Sequence, residues 1–161
     1  MKEKIFNGRL SIGNVELWNE SKIAFFASRN SSEIVKEKIR CWSRNQAKNG
    51  ICFIGAFHSE AESALFHTAL RNGGKAVWIL GKAIPGELSR EEAKALDENR
   101  LLIVSCFRRK HYTVVTSRFA NHIAAIHSDA IVFANISDKS LLLPFYRRMC
   151  ETRKIPVTRI K

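Results

Sequence analysis

The apolar runs of this chain are continuous rather than alternating. They fall at residues 23–27, 51–55, 76–80, 101–104 and within 129–134. A strand with one wet face alternates apolar and polar residues, whereas a strand covered on both faces reads as an uninterrupted apolar run. Between the runs stand segments with helical period and helical punctuation. Residues 31–49 place Val35, Ile39 and Trp42 on one face, with Gly50 as the stop and Asn30 as one candidate N-cap. Ser59-Glu60-Ala61-Glu62 and Ser89-Arg90-Glu91-Glu92 are capping boxes, and Gly73-Gly74 ends the first of the helices they open. Residues 116–127 predict a helix with Phe119, Ile123 and Ile126 inward. Residues 141–153 predict another, with Pro144 near its first turn, and Val157–Ile160 predicts a last strand.

Strand and helix in strict alternation, with doubly covered strands, define an α/β fold. The expectation is a doubly wound, mostly parallel, Rossmann-like sheet with helices on both faces. A length of 161 residues suits one domain, 1–161, in which residues 1–20 form an N-terminal lead-in segment. The start, MKEKIFNGRL, has no apolar core of a signal peptide, and no run approaches the length of a membrane span. The four cysteines, at 41, 52, 106 and 150, form no CxxC pair, and Cys52 lies in an apolar run. That pattern predicts reduced, mostly buried thiols and a cytoplasmic protein.

Charge narrows the partner. The chain has 27 Lys and Arg against 15 Asp and Glu, a net charge of +12. Such an excess favours a polyanion through counterion release, although a solvated basic face is the plainer explanation. In a doubly wound sheet, ligands bind at the carboxyl ends of the strands. Ser28-Arg29-Asn30 follows the first run and precedes a helix start. A hydroxyl, a guanidinium and free helix amides could converge there on one phosphate. After the second run, Gly55 would admit a ligand to the backbone, Phe57 could stack on a base, and His58 could contact phosphate; a buried Phe57 and a capping Ser59 explain the same segment. Arg108, Arg109 and Lys110 precede His111 and Tyr112 beyond the fourth run, a basic-plus-aromatic pattern suited to single strands. Arg118 and His122, one helical turn apart, would extend the basic rim with Asn121. The chain has no GxSxG, HExxH, P-loop or GxGxxG motif and no metal-ligand spacing. Binding is therefore expected rather than catalysis, with no catalytic residue, metal or cofactor.

Several segments resemble the DNA-processing protein A (DprA/Smf) family. Gly13-Asn14-Val15-Glu16-Leu17 followed by Ile23-Ala24-Phe25-Phe26-Ala27-Ser28-Arg29 is similar to that family's GNxELL and VAIVGSR. Ile54-Gly55, the segment from Gly73 to Gly81, Leu101 to Ser105, and Asn121 to Val132 resemble, in order, its SG, GGKTIAVLG, LLLSE and RNRIISGLSDAVVV. The resemblance spans residues 13–135. It implies an extended Rossmann domain that binds single-stranded DNA and, in the full family, helps load recombinase during DNA uptake. By that resemblance Arg29 is the leading phosphate ligand and Asn121 matches the asparagine of the family's basic segment. The chain departs from the family where SGLARGID is replaced by residues 54–60 and where Ala120 and His122 flank Asn121. Lys139, in the turn after the fifth run, completes the basic positions. A single-stranded nucleic acid is thus the expected partner, with no membrane. Homodimerisation is a further partner expectation, and a recombinase partner follows from the resemblance. The alternative is a nucleotide-binding sensor or nucleotide-processing enzyme on the same fold.

Overall fold

The structure, a computed structural model, describes residues 2–160. Its elements are β1 (Lys4–Phe6), β2 (Arg9–Gly13), a 3₁₀ turn (Val15–Asn19), β3 (Lys22–Ala27), α1 (Glu33–Lys48), β4 (Cys52–Gly55), α2 (Glu60–Arg71), β5 (Lys75–Leu80), α3 (Arg90–Asp97), β6 (Leu101–Ser105), α4 (Val114–Ile126), β7 (Ala130–Ala134), α5 (Leu143–Thr152) and β8 (Val157–Ile160). They build one sheet in the order β1-β2-β6-β5-β4-β3-β7-β8. Strands β3 to β8 pair in parallel, and β1 and β2 are antiparallel additions at the β6 edge.

The unbroken apolar runs have the cause expected of them. Phe25 and Phe26 are neighbours in β3 and both are fully buried, but they point to opposite faces. Phe25, Phe53, Ala76 and Leu101 pack beneath α1, α2 and α3, where Ile39, Leu65 and Leu96 meet them. Phe26, Ile54, Val77 and Phe133 pack beneath the 3₁₀ turn, α4 and α5, where Leu17, Ala124 and Met149 meet them. The chain winds from β3 to β6 with helices on one face, then α4 recrosses the other face to lay β7 beside β3. The order reverses between β3 and β7, so the crevice that such folds use for ligands opens at the carboxyl ends of those strands.

Four expectations are corrected. The segment 1–20 is not a plain lead-in: it holds β1 and β2, joined by Asn7 and Gly8, both with positive φ (48° and 74°), so the hairpin completes the sheet edge. Ser32, not Asn30, caps α1, its hydroxyl accepting from the Val35 N–H. In α4, Ile123 faces inward as expected, but Phe119 and Ile126 are 40% and 37% exposed. Small residues take the inner positions, Thr116, Ala120, Ala124 and Ala125, because α4 rides close against the sheet. A Cβ on Gly81 would lie 2.8 Å from the Thr116 carbonyl oxygen. The cysteines are all free, but Cys41 and Cys150 are exposed, and only Cys52 is fully buried. Burial pushes the Cys52 thiol up to about 12.

Two glycines of positive φ should separate cleanly on substitution. Gly13 ends β2 at φ 103°, and a Cβ there would sit 2.1 Å from the Leu101 carbonyl oxygen. Gly8 has φ 74° and open space around it. Gly13→Ala should cost about 3 kcal/mol or more, against about 1 kcal/mol for Gly8→Ala, read by urea denaturation.

Candidate nucleic-acid interface

The carboxyl ends of β6, β5, β4, β3 and β7 lie side by side along one edge, and each continues into a loop with a cation or imidazole: Arg108, Arg109 and Lys110 after β6, Lys82 after β5, His58 after β4, Arg29 after β3 and Lys139 after β7. The β1–β2 turn reaches the same edge, because Leu10 lies opposite Ser105 in the antiparallel pairing, and it brings Arg9. Arg29, Arg108, Arg109, Lys110, Tyr112 and Lys139 are exposed.

This edge is held from within by Glu62, the third residue of α2. Its carboxylate is buried and accepts three backbone N–H groups: Ala27 at 3.0 Å, His58 at 2.8 Å and Ser59 at 3.2 Å. One side chain thus ties the end of β3 to the β4–α2 turn. Burial pushes the Glu62 carboxyl above its ordinary range, while the three donors and the Arg29 charge pull it down. The loops after β5 and β6 are joined as well: the Ala83 N–H donates to the Arg109 carbonyl at 2.7 Å, and the Ser105 hydroxyl lies 2.7 Å from the Lys82 carbonyl oxygen. Across the β3–β7 reversal, the hydroxyls of Ser28 and Ser140 are 2.7 Å apart, and Asn135 donates to the Asn30 carbonyl and the Ser31 hydroxyl.

At the centre, His58 and Tyr112 lie with ring centroids 4.6 Å apart, and the Lys82 ammonium stands 5.8 Å from the centroid of the Tyr112 ring. Burial, then the charges of Arg29 and Lys82, depress the His58 imidazole to about 4. The structure therefore brings Arg29, His58 and Tyr112 together with Lys82, and burial keeps His58 neutral down to about 4.

The remaining expected residues are placed differently. Phe57 is buried and stacks on Phe66 at 4.5 Å, so its ring belongs to the core and cannot meet a base. Gly55 serves that packing rather than a ligand: a Cβ there would come within 2.9 Å of the Phe57 ring. Arg118 and His122 are exposed on the outer side of α4. At ~1.5 Å per residue, they stand about 8 and 14 Å along the helix from the Thr113 cap, leading away from the edge. Asn121 Oδ1 is buried without a hydrogen-bond partner. Lys82 and Arg9 were not read as site residues. Lys82 was legible as the one cation of the loop that follows the third apolar run. Arg9 was signalled only through the Asn7-Gly8 hairpin turn, which went unread.

The sheet order and the reversal point define an extended Rossmann-like domain. No family model matches the chain, and no curated protein matches it. Among solved structures, DNA processing protein A from Helicobacter pylori, described for its single-stranded DNA binding mode, is similar with a TM-score of 0.75 at 16% identity, over 95% of this chain and 71% of that one. DprA from Streptococcus pneumoniae is similar with the same TM-score of 0.75 at 20% identity; this chain spans 54% of its length. The molybdenum cofactor carrier protein of Chlamydomonas reinhardtii is similar with a TM-score of 0.57 at 13% identity, over 88% of this chain. These likenesses establish a shared fold.

The His58 environment gives a pH signature. Folded His58 stays neutral down to about 4, whereas the unfolded chain protonates near 6.5. Its contribution is complete above about 6.5 and is lost as pH falls toward 4. Urea-denaturation curves should therefore lose stability across that window, and His58→Gln should flatten the loss.

Proposed function

We propose that this domain binds single-stranded nucleic acid through its backbone phosphates, along the carboxyl edge of the sheet. The observation that carries the reading is the row of cations in adjacent loops with the His58–Tyr112 pair at its middle. Cations along the row would track phosphates, and the ring of Tyr112, exposed where Phe57 is not, would stack on a base. Ser28, Asn30 and the first turn of α1 frame Arg29 at the β3–β7 reversal. Of the sites expected on α4, Arg118 alone lies near enough to extend the row.

From Arg9 to Lys139 the row crosses β2, β6, β5, β4, β3 and β7. At ~4.8 Å per strand that is about 24 Å, room for roughly four to seven nucleotides depending on how far the bound strand is stretched. The H. pylori DprA structure lends support because its subject is single-stranded DNA binding. By resemblance, the same reading carries a recombinase partner and a part in DNA uptake; a homodimer and, from the unpaired cysteines, a cytoplasmic location are proposed beside them. No helix among the described residues is long and apolar enough to cross a membrane. A second reading, a nucleotide-binding domain that senses or processes mononucleotides, is favoured by one observation: a groove of nucleotide size opens beside His58.

Fluorescence anisotropy with a labelled ten-nucleotide single strand tests the main reading. Neutralising about five phosphates predicts a log–log salt slope near −3.5. Arg29→Ala should lose at least several-fold in affinity and flatten that slope by about 0.7. Tyr112→Ala should lose about 5- to 100-fold with the slope unchanged, as removal of a stacking platform demands. Salt-independent binding, or an Arg29→Ala variant that binds like wild type across the titration, would overturn the phosphate assignment.

A further inference from the structure

The outer side of α2 is concave. Glu60, Ser63, Ala64, His67, Thr68 and Arg71 recur at helical spacing along it, and with Arg40 of α1 they line a groove of about 470 Å³. The concavity follows from the sequence, because Ser63 and Ala64 are small where the helix face would otherwise be filled. The groove opens at its upper end onto His58 and Ser59, so it is continuous with the basic edge.

The chemistry of the lining differs from that of the edge. Arg71 is held by Glu91 at 2.9 Å, Arg40 by Glu37 at 3.0 Å, and Glu60 by Lys36 at 2.6 Å. Cations already matched by carboxylates make a poor trap for a phosphate. They remain oriented donors for the neutral polar edge of a ligand, as the Ser63 hydroxyl does. His67 lines the groove, and its Nδ1 lies buried behind that surface without a hydrogen-bond partner. The volume lies within the range of small-molecule sites and suits one nucleotide unit.

We propose that this groove receives the base and sugar of one nucleotide, while its phosphate sits at the mouth against His58 and Arg29. The proposal rests on the reading of the edge as a phosphate site. The nucleotide is either one unit of a bound strand that turns off the edge or a free mononucleotide. His67 and Arg71 face the base, and Ser63 faces the sugar. Arg29 and Lys82 above, Tyr112 beside and Glu62 behind are the charged and titratable groups that surround His58 at the mouth.

The test fills the groove without touching the edge. Ser63→Trp places an indole in the concavity, Arg71→Ala removes a donor, and melting temperature checks that both fold. Wild type and variants are titrated with dAMP and dTMP by calorimetry and with oligo(dT) of 4, 6, 10 and 15 nucleotides by anisotropy. If the unit belongs to a bound strand, Ser63→Trp weakens oligonucleotides at least 5-fold and the mononucleotides bind neither protein. If it is a free nucleotide, Ser63→Trp abolishes mononucleotide binding and leaves the oligonucleotides unchanged. Ligand binding in wild type that neither Ser63→Trp nor Arg71→Ala alters overturns the groove and leaves the edge standing. Failure of wild type to bind any oligonucleotide, with a mononucleotide lost in Ser63→Trp, removes the single-strand reading and keeps the groove. No binding of either ligand class by wild type overturns both.

Discussion

The carboxylate of Glu62 lies inside the protein and takes three backbone N–H groups, one from the end of β3 and two from the turn that opens α2. A buried carboxylate is costly unless every lone pair finds a donor, so this arrangement tolerates little movement of either loop. The positions of Arg29 and His58 depend on it, since each belongs to one of the two segments that Glu62 joins. The second half of the edge is tied by backbone and hydroxyl contacts between the β5 and β6 loops instead. A row of cations on separate loops thus gains a fixed spacing, which is what tracking a phosphate chain requires.

The cations of the edge are uncompensated, whereas several on and beside the helices are paired. On the helical faces, Lys36, Arg40, Arg71 and Arg100 are matched by glutamates. No ion pair is formed by Arg29, Lys82, Arg108, Arg109, Lys110 or Lys139 among the described residues. Burial depresses the imidazole of His58, and the charges of Arg29 and Lys82 lower it further. An anion on the edge would offset those charges and raise the affinity of His58 for a proton, so phosphate binding and protonation would support each other.

Much of the fold was legible from residue patterns. Continuous apolar runs foretold strands covered on both faces, and Ser59 and Ser89 foretold helix starts that the structure bears out as reciprocal capping boxes. The antiparallel hairpin was missed because β1 and β2 are short and partly exposed, so they lack the apolar density of the core strands; only Asn7-Gly8 betrayed it. The inward face of α4 was misread because periodicity favours the largest apolar residues, whereas close packing against Gly81 selects alanines. At the candidate site, Arg29, His58 and the run from Arg108 to Tyr112 were legible because each lies in a loop that follows an apolar run. Phe57 could be read as a stacking aromatic or as a core residue, and its backbone, at φ 53°, drives the ring into the core beside Phe66.

By itself, the sequence determined the class of fold, the loops that share the carboxyl edge of the sheet and the sign of the charge gathered there. These follow from local rules, since apolar continuity sets burial and strand direction sets which loops share an edge. Only the tertiary structure decided which residues meet. The pairing of His58 with Tyr112, the joining of two loops by Glu62, the arrival of Arg9 by way of an edge hairpin and the hollow along α2 each bring together residues remote in the chain. Such meetings depend on strand order and on how closely each helix approaches the sheet, and both are set by packing among the elements rather than within any one of them.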